Sequence, residues 1–105
     1  MPTVCFCADD FAMNPQIDQA IFQLIERGSL QATSCMTQSP LWANEALKLK
    51  QYATTIDIGL HLNLTHVFDA QTFSYPLAQL MLRAWSHQLD KTLIRKSIQQ
   101  QWDHF

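Results

Sequence analysis

The clearest periodicity in the chain runs from Ile56 to Leu64. Apolar Ile56, Ile58, Leu60, Leu62 and Leu64 alternate there with Asp57, Gly59, His61, Asn63 and Thr65. A period of two places the two sets on opposite faces of a strand. Earlier, the apolar run Thr3 to Ala8 has no helical spacing and reads as a buried strand ending at Asp9-Asp10-Phe11. Gln31 to Thr37 reads as a further strand, interrupted by Gln, Ser and Thr. Between these two, Asn14-Pro15 supplies an N-cap and a first helical residue. Ile17, Ala20, Ile21, Leu24 and Ile25 then mark one apolar helix face, and Gly28 stands where a left-handed terminator is wanted. Ser39-Pro40 opens a second helix running to about Gln51, with Trp42, Ala46, Leu47 and Leu49 on its inner side. After a loop from about His66 to Tyr75, Leu77, Leu80, Met81, Ala84 and Trp85 predict a third helix. Asp90 caps a fourth, which carries Leu93, Ile94, Ile98, Trp102 and Phe105.

Strands alternating with helices predict an α/β fold with a parallel sheet. In such a sheet the polar face of the strand at 56–64 lines a site instead of facing bulk water.

Composition narrows the picture. A chain of 105 residues forms one domain, 1–105, with a small core. An apolar fraction of 48% with only two glycines argues against disorder. The net charge is −2 and the Lys and Arg residues are scattered, so no basic stripe is present for nucleic acid. No run approaches the ~20 apolar residues that span a bilayer. The first ten residues lack a basic start and end on two acids, so they do not read as a signal peptide. Three cysteines, an odd number, argue against a disulfide framework. Cys5, Cys7 and Cys35 are expected as small buried apolar residues, and the whole suggests a reducing, cytoplasmic setting.

Candidate chemistry sits at the strand ends. In parallel α/β folds, ligands bind beyond the carboxyl ends of the strands. Asp9 and Asp10 end the first strand and His61 lies near the end of the third, so all three share one rim. Two carboxylates and an imidazole there suit a divalent metal with a general base. Each has a plainer reading: an acidic pair can cap the next helix, and a strand histidine can be a hydrogen-bonded structural residue.

The runs Ala8-Asp9-Asp10-Phe11, Ile25-Glu26-Arg27-Gly28 and Gly59-Leu60-His61-Leu62-Asn63-Leu64-Thr65, with the spacing between them, resemble the YdjC-like carbohydrate deacetylases. That family includes chitooligosaccharide deacetylases, which remove acetyl groups from N-acetylated sugars. The resemblance covers nearly the whole chain. It implies the N-terminal portion of a distorted (β/α) barrel and a divalent ion, Mg²⁺ or Zn²⁺, held by one Asp and two His. By position Asp10 and His61 would be two of those ligands, and Asp9 the base acting on water. Asn63, on the His61 face, would touch the substrate or make a strand-end hydrogen bond. The third ligand of the family lies in a His-rich motif on a later strand, and nothing up to Phe105 reproduces it. His104 falls on a helix and out of alignment, while His66 and His87 read as solvated.

Two structural expectations follow. The final apolar stripe reaches Phe105 with no Gly, Asn or Pro to close the helix, which reads as a chain cut short. Three strands cannot close a barrel, so sheet edges and the Leu and Trp side chains of helix faces should be exposed, favouring self-association. Competing readings are an inactive product or half-barrel binding module, and a receiver-like signalling domain with Asp57 as phosphoacceptor. Asp57 stands near the start of its strand, where a phosphoacceptor would stand at its end. Asn63-Leu64-Thr65 also fits a glycosylation sequon, which reads as accidental without an export signal.

Overall fold

Three strands, β1 (Cys7–Phe11), β2 (Ala32–Cys35) and β3 (Asp57–Leu60), lie side by side in that order and run parallel. Helices α1 (Pro15–Glu26) and α2 (Trp42–Leu49) connect them, α2 continuing as one 3₁₀ turn at Lys50–Tyr52. Helices α3 (Leu77–Trp85) and α4 (Lys91–His104) follow. This computed structural model describes residues 3–69 and 72–105. Met1 and Pro2, and Ala70 and Gln71 of the expected loop, lie outside the described residues. The α/β class and the parallel sheet are as expected, and the sheet is open. Among the described residues no helix is long and apolar enough to cross a membrane.

Local chemistry explains the elements. Asn14 caps α1, its side-chain oxygen accepting from the Ile17 N–H at 2.9 Å. Gly28 ends it at φ 73°, with Ser29 N–H bonding Leu24 C=O and Gly28 N–H bonding Ile25 C=O. That paired bonding is the Schellman arrangement, and its left-handed residue suits glycine. Ser39 accepts from the Leu41 N–H in a turn that precedes α2, so the helix begins at Trp42. Asp90 caps α4 by accepting from the Thr92 and Leu93 N–H groups.

The core lies between the sheet and α1 and α2. It is built from Phe11, Ala12, Ile21, Ile25, Leu30, Cys35, Leu49 and Ile56. Phe11 is fully enclosed and meets Phe22 and Trp42 edge to face, at 5.5 and 6.5 Å between ring centres. Three expectations are corrected here. The buried stripe of α1 is Asp18, Ile21 and Ile25, while Ala20 and Leu24 are exposed. Leu47 is exposed, because it lies about 140° round the helix from Trp42. Cys5 and Cys7 are exposed and only Cys35 is buried. Among the described residues the helices cover one face of the sheet, and Cys7 belongs to the other. Burial pushes the Cys35 thiol up to about 12, which leaves it unreactive.

The strand ends differ from the sequence pattern in an informative way. β1 runs through the acids to Phe11 instead of stopping at Ala8. Ala8 pairs with Thr33 and Phe11 with Cys35, so β1 carries one residue more than β2 over this step. This is a β-bulge. Without it, Phe11 would share the uncovered face with Cys7 and Asp9. With it, Phe11 returns to the core and Asp9 and Asp10 both stay outside. Asp10 and Ala12 take the left-handed conformation, at φ 67° and 75°. Asp tolerates it, whereas for alanine it costs about 1–2 kcal/mol. Asp18 holds the turn, its Oδ1 accepting from the Ala12 N–H at 2.7 Å. Its other oxygen, Oδ2, is buried without a hydrogen-bond partner.

α4 is fastened by polar groups. Gln101 is fully buried, accepts from the Asn63 N–H at 2.7 Å and donates to the Asn63 C=O at 2.8 Å. Thr37 donates to the Gln101 carbonyl and Trp42 to the His104 carbonyl. The apolar side chains of α3 and α4 face outward, with Trp85 84% and Trp102 61% exposed. The expected exposure of Leu and Trp is therefore present. It fits a radius of gyration of 15.5 Å, above the ~13 Å of a compact domain of this size.

Two outcomes are expected. Gln101→Leu keeps volume but leaves the buried Asn63 N–H and C=O unpaired, a loss of about 1–3 kcal/mol. Amide hydrogen exchange should quicken along α4 while α1 stays protected; unchanged exchange in α4 would show that other contacts hold it. The second concerns pH. Burial raises the Asp18 carboxyl above its ordinary 3.8, the Ala12 N–H opposes this, and nearby Glu45 adds to the rise while Lys48 reduces it. The folded state therefore holds the proton more tightly. That stabilisation is fully present below the unfolded value and is lost as pH rises through the raised folded value. The wild-type stability advantage over Asp18→Asn, read as urea midpoints between about pH 3 and about pH 7, should fall across that window and then level off.

Candidate functional site

The site is built at the carboxyl edge of the sheet. β1 and β3 are separated by β2, which puts their axes about 9–10 Å apart at ordinary strand spacing. Contact between them requires side chains that lean across the end of β2. The bulge supplies Asp10. The His61 N–H bonds Cys35 C=O at 2.8 Å, extending the β3 ladder one residue past the strand and fixing His61 on the same rim. Across β2 the two meet: Asp10 Oδ1 lies 3.2 Å from His61 Nδ1, and the Asp10 N–H donates to that nitrogen at 3.3 Å. Both side chains are partly exposed, 43% for Asp10 and 31% for His61.

Asp9 lies on the uncovered face of the sheet. Its Oδ1 accepts from Ser34 Oγ at 2.7 Å, with Cys7 Sγ 4.0 Å away. Ser34 pairs with Gly59, so no side chain from β3 crowds the acid on that face. Asp9, Asp10 and His61 are thus gathered at one edge, as the sequence pattern suggests. Ser34 is a partner that the pattern does not reveal. The polar interruption of the 31–37 strand is too weak a signal to single it out, because Thr33 and Thr37 in the same stretch are buried.

Asn63 stands differently. It is 3% exposed and does not continue the alternating strand. Its amide donates to Gln38 Oε1 and His66 C=O, and its oxygen accepts from the Thr65 and His66 N–H groups. The side chain is occupied inside the fold, tying the turn after His61. His66 is half buried against Phe68, at 4.5 Å between rings, while His87 is exposed at φ 59°. His104 is on α4, as expected. Asp57 begins β3 and pairs with Ala32, at the opposite end of the sheet from the acid pair.

The chemistry of Asp10 and His61 can be tested against a metal ion. Nδ1 accepts from the Asp10 N–H and lies beside the Asp10 carboxylate, so an ion held by both residues would take the ring's lone pair in place of that N–H. Donors 3.2 Å apart also match neighbouring ligands bonded at about 2.0–2.2 Å to one ion. The two residues therefore suit two ligand positions. Among the described residues no cluster of three or more His, Cys, Asp and Glu is placed to hold an ion.

A carbohydrate deacetylase from Thermoanaerobacter pseudethanolicus is 33% identical over 57 residues, covering 54% of this chain and 22% of that protein. Carbohydrate deacetylase 1 from Listeria innocua is 33% identical over 76 residues, covering 72% of the chain and 28% of the relative. One from Enterococcus faecalis is 34% identical over 58 residues, 55% of the chain and 22% of the relative. The matched stretches thus span less than a third of these relatives. No solved structure matches the chain. The family model of YdjC-like proteins matches residues 3–105, and that span includes the bulged acid pair, its Ser34 partner and the histidine it meets across β2: the chain belongs to the YdjC-like family.

Proposed function

We propose that this chain forms part of a metal-dependent deacetylase acting on N-acetylated sugars. The observation that carries the reading is the meeting of Asp10 and His61 across β2, beside an acid held by Ser34. In this reading the open sheet is one wall of a (β/α) barrel, with Asp9, Ser34 and Gly59 facing its interior. Asp10 and His61 hold the ion together with a further ligand that the described residues do not place beside them. Asp and His donors suit Zn²⁺, and Mg²⁺ with additional waters. A divalent ion there supplies a Lewis acid that acidifies water and withdraws charge from a carbonyl oxygen.

The chain's own residues do the rest. Asp9 takes the proton as water adds to the acetamide carbon, and Ser34 fixes which of its oxygens is turned away. The proton then passes to the sugar nitrogen as the C–N bond breaks, leaving acetate and a free amine. Asn63 contributes through the turn it ties. The carbohydrate deacetylase names of the relatives support the substrate class.

The reading separates binding from chemistry. Asp10→Ala and His61→Ala should each weaken Zn²⁺ binding at least tenfold in calorimetric titration. Asp9→Asn should leave binding intact and lower acetate release from N-acetylglucosamine oligomers by roughly 10²–10⁴-fold. His61→Ala binding as tightly as the unmodified chain would remove the proposed site. Ion binding without acetate release, once the full set of ion ligands is present, would favour a binding module. We also propose that the outward apolar faces of α3 and α4 drive self-association. Light scattering should show a mass above the monomer that falls on dilution, and a monomer at high concentration would count against it.

A further inference from the structure

Asp18 belongs to no part of the site described above, yet it grips the turn from which the site is hung. It stands in the first turn of α1 and is 1% exposed. A buried acid on an otherwise apolar helix face carries a desolvation cost, and an isoleucine there would avoid it. What the acid does is specific: Oδ1 receives the Ala12 N–H at 2.7 Å, and Ala12 is a left-handed alanine two residues beyond Asp10. Met13 N–H bonds Asp10 C=O at 3.0 Å and closes the same turn, while Phe11 C=O accepts from Met36 N–H at 2.9 Å. The backbone on both sides of Asp10 is therefore pinned, and Asp10 itself is at φ 67°. A backbone held in a sparsely populated conformation persists only when its surroundings over-determine it.

Resting on the proposed ion site, we propose that Asp18 is a positioning residue: by holding Ala12 in the left-handed conformation it sets the place of Asp10 against His61. The idea makes a particular demand. Ala12 needs a clamp because its Cβ disfavours positive φ; a glycine there would take the same conformation without help. The clamp should become dispensable in Ala12→Gly. A residue that merely fills the core would not behave so.

The test compares the unmodified chain with Asp18→Asn, Asp18→Ala, Asp18→Ala combined with Ala12→Gly, and Leu30→Ala, a control destabilised in the core before β2, at the far end of the sheet. The first readout, taken before any Zn²⁺ is added, is the Asp10 N–H to His61 Nδ1 hydrogen bond, followed by NMR through ¹⁵N–¹⁵N coupling and Asp10 amide exchange. The second is Zn²⁺ affinity by calorimetry. Asp18→Asn keeps an acceptor and should preserve the contact. Asp18→Ala should lose it and bind Zn²⁺ roughly 10–100-fold more weakly, the usual loss when a group supporting a ligand is removed. The double variant should regain the contact and most of the affinity, and Leu30→Ala should leave it in place. If Asp18→Ala alone does not fold, the double variant is read against the unmodified chain. A contact that survives Asp18→Ala, or one that glycine at position 12 fails to restore, overturns the proposal. If the unmodified chain binds no Zn²⁺, the ion-site reading fails, while the NMR contact still decides the role of Asp18.

Discussion

The burial of Phe11 is the constraint on which the rest of this structure depends. The ring is enclosed between α1 and α2 with aromatic edges on two sides, and a side chain of that size represents a large share of a small core. Strand alternation from Cys7 and Asp9 would have placed it on the uncovered face. One inserted residue reconciles the two, and the insertion falls at the acid pair. The same step that returns Phe11 to the core keeps two adjacent carboxylates out of it. The hydrophobic demand and the placement of candidate catalytic groups are one event in the backbone.

Across the rim the logic is polar. β1 and β3 do not touch, so Asp10 and His61 are joined by side-chain reach and by ladders that continue past the strand ends at Met36 and His61. The turn beyond His61 is tied by Asn63, and Asn63 in turn receives Gln101 from α4. α4 is thus attached to the same edge through buried amides and hydroxyls, which hold direction well and tolerate little loss of a partner. Its apolar side chains are left outward, which is why one helix carries both a buried glutamine and an exposed tryptophan.

Much of this was legible in the sequence, for identifiable reasons. Caps at Asn14 and Asp90 and the terminator at Gly28 are local chemistry and need no tertiary knowledge. The parallel order followed from alternating elements, and the rim from the rule that strand ends carry function. What escaped depends on which face is covered. Cys5 and Cys7 read as buried because a parallel strand is usually covered on both sides, and here one side is open. The alternation from Ile56 to Leu64 is a strand only to Leu60; beyond it, Asn63 turns inward to answer Gln101, a partner 38 positions away. Asp18 escaped because a polar residue on an amphipathic helix is ordinarily assigned to the solvent side. Only its bond to Ala12 explains why it lies beneath the sheet.

These misses share a cause that bears on function. Each is a place where the local rule is broken by a polar group serving another part of the chain: Asp18 for Ala12, Gln101 for Asn63, Ser34 for Asp9. At the first two positions a buried polar side chain carries a desolvation cost that is offset by the backbone groups it pairs, so each is kept by the partner it serves. Left-handed Asp10 and Ala12 add a backbone cost in the same few residues. Costs gathered around one short turn, next to two carboxylates and an imidazole, mark a segment held for the geometry it presents. The bulge sets that geometry, Phe11 provides the burial that offsets it, and the buried carboxylate of Asp18 keeps it from relaxing.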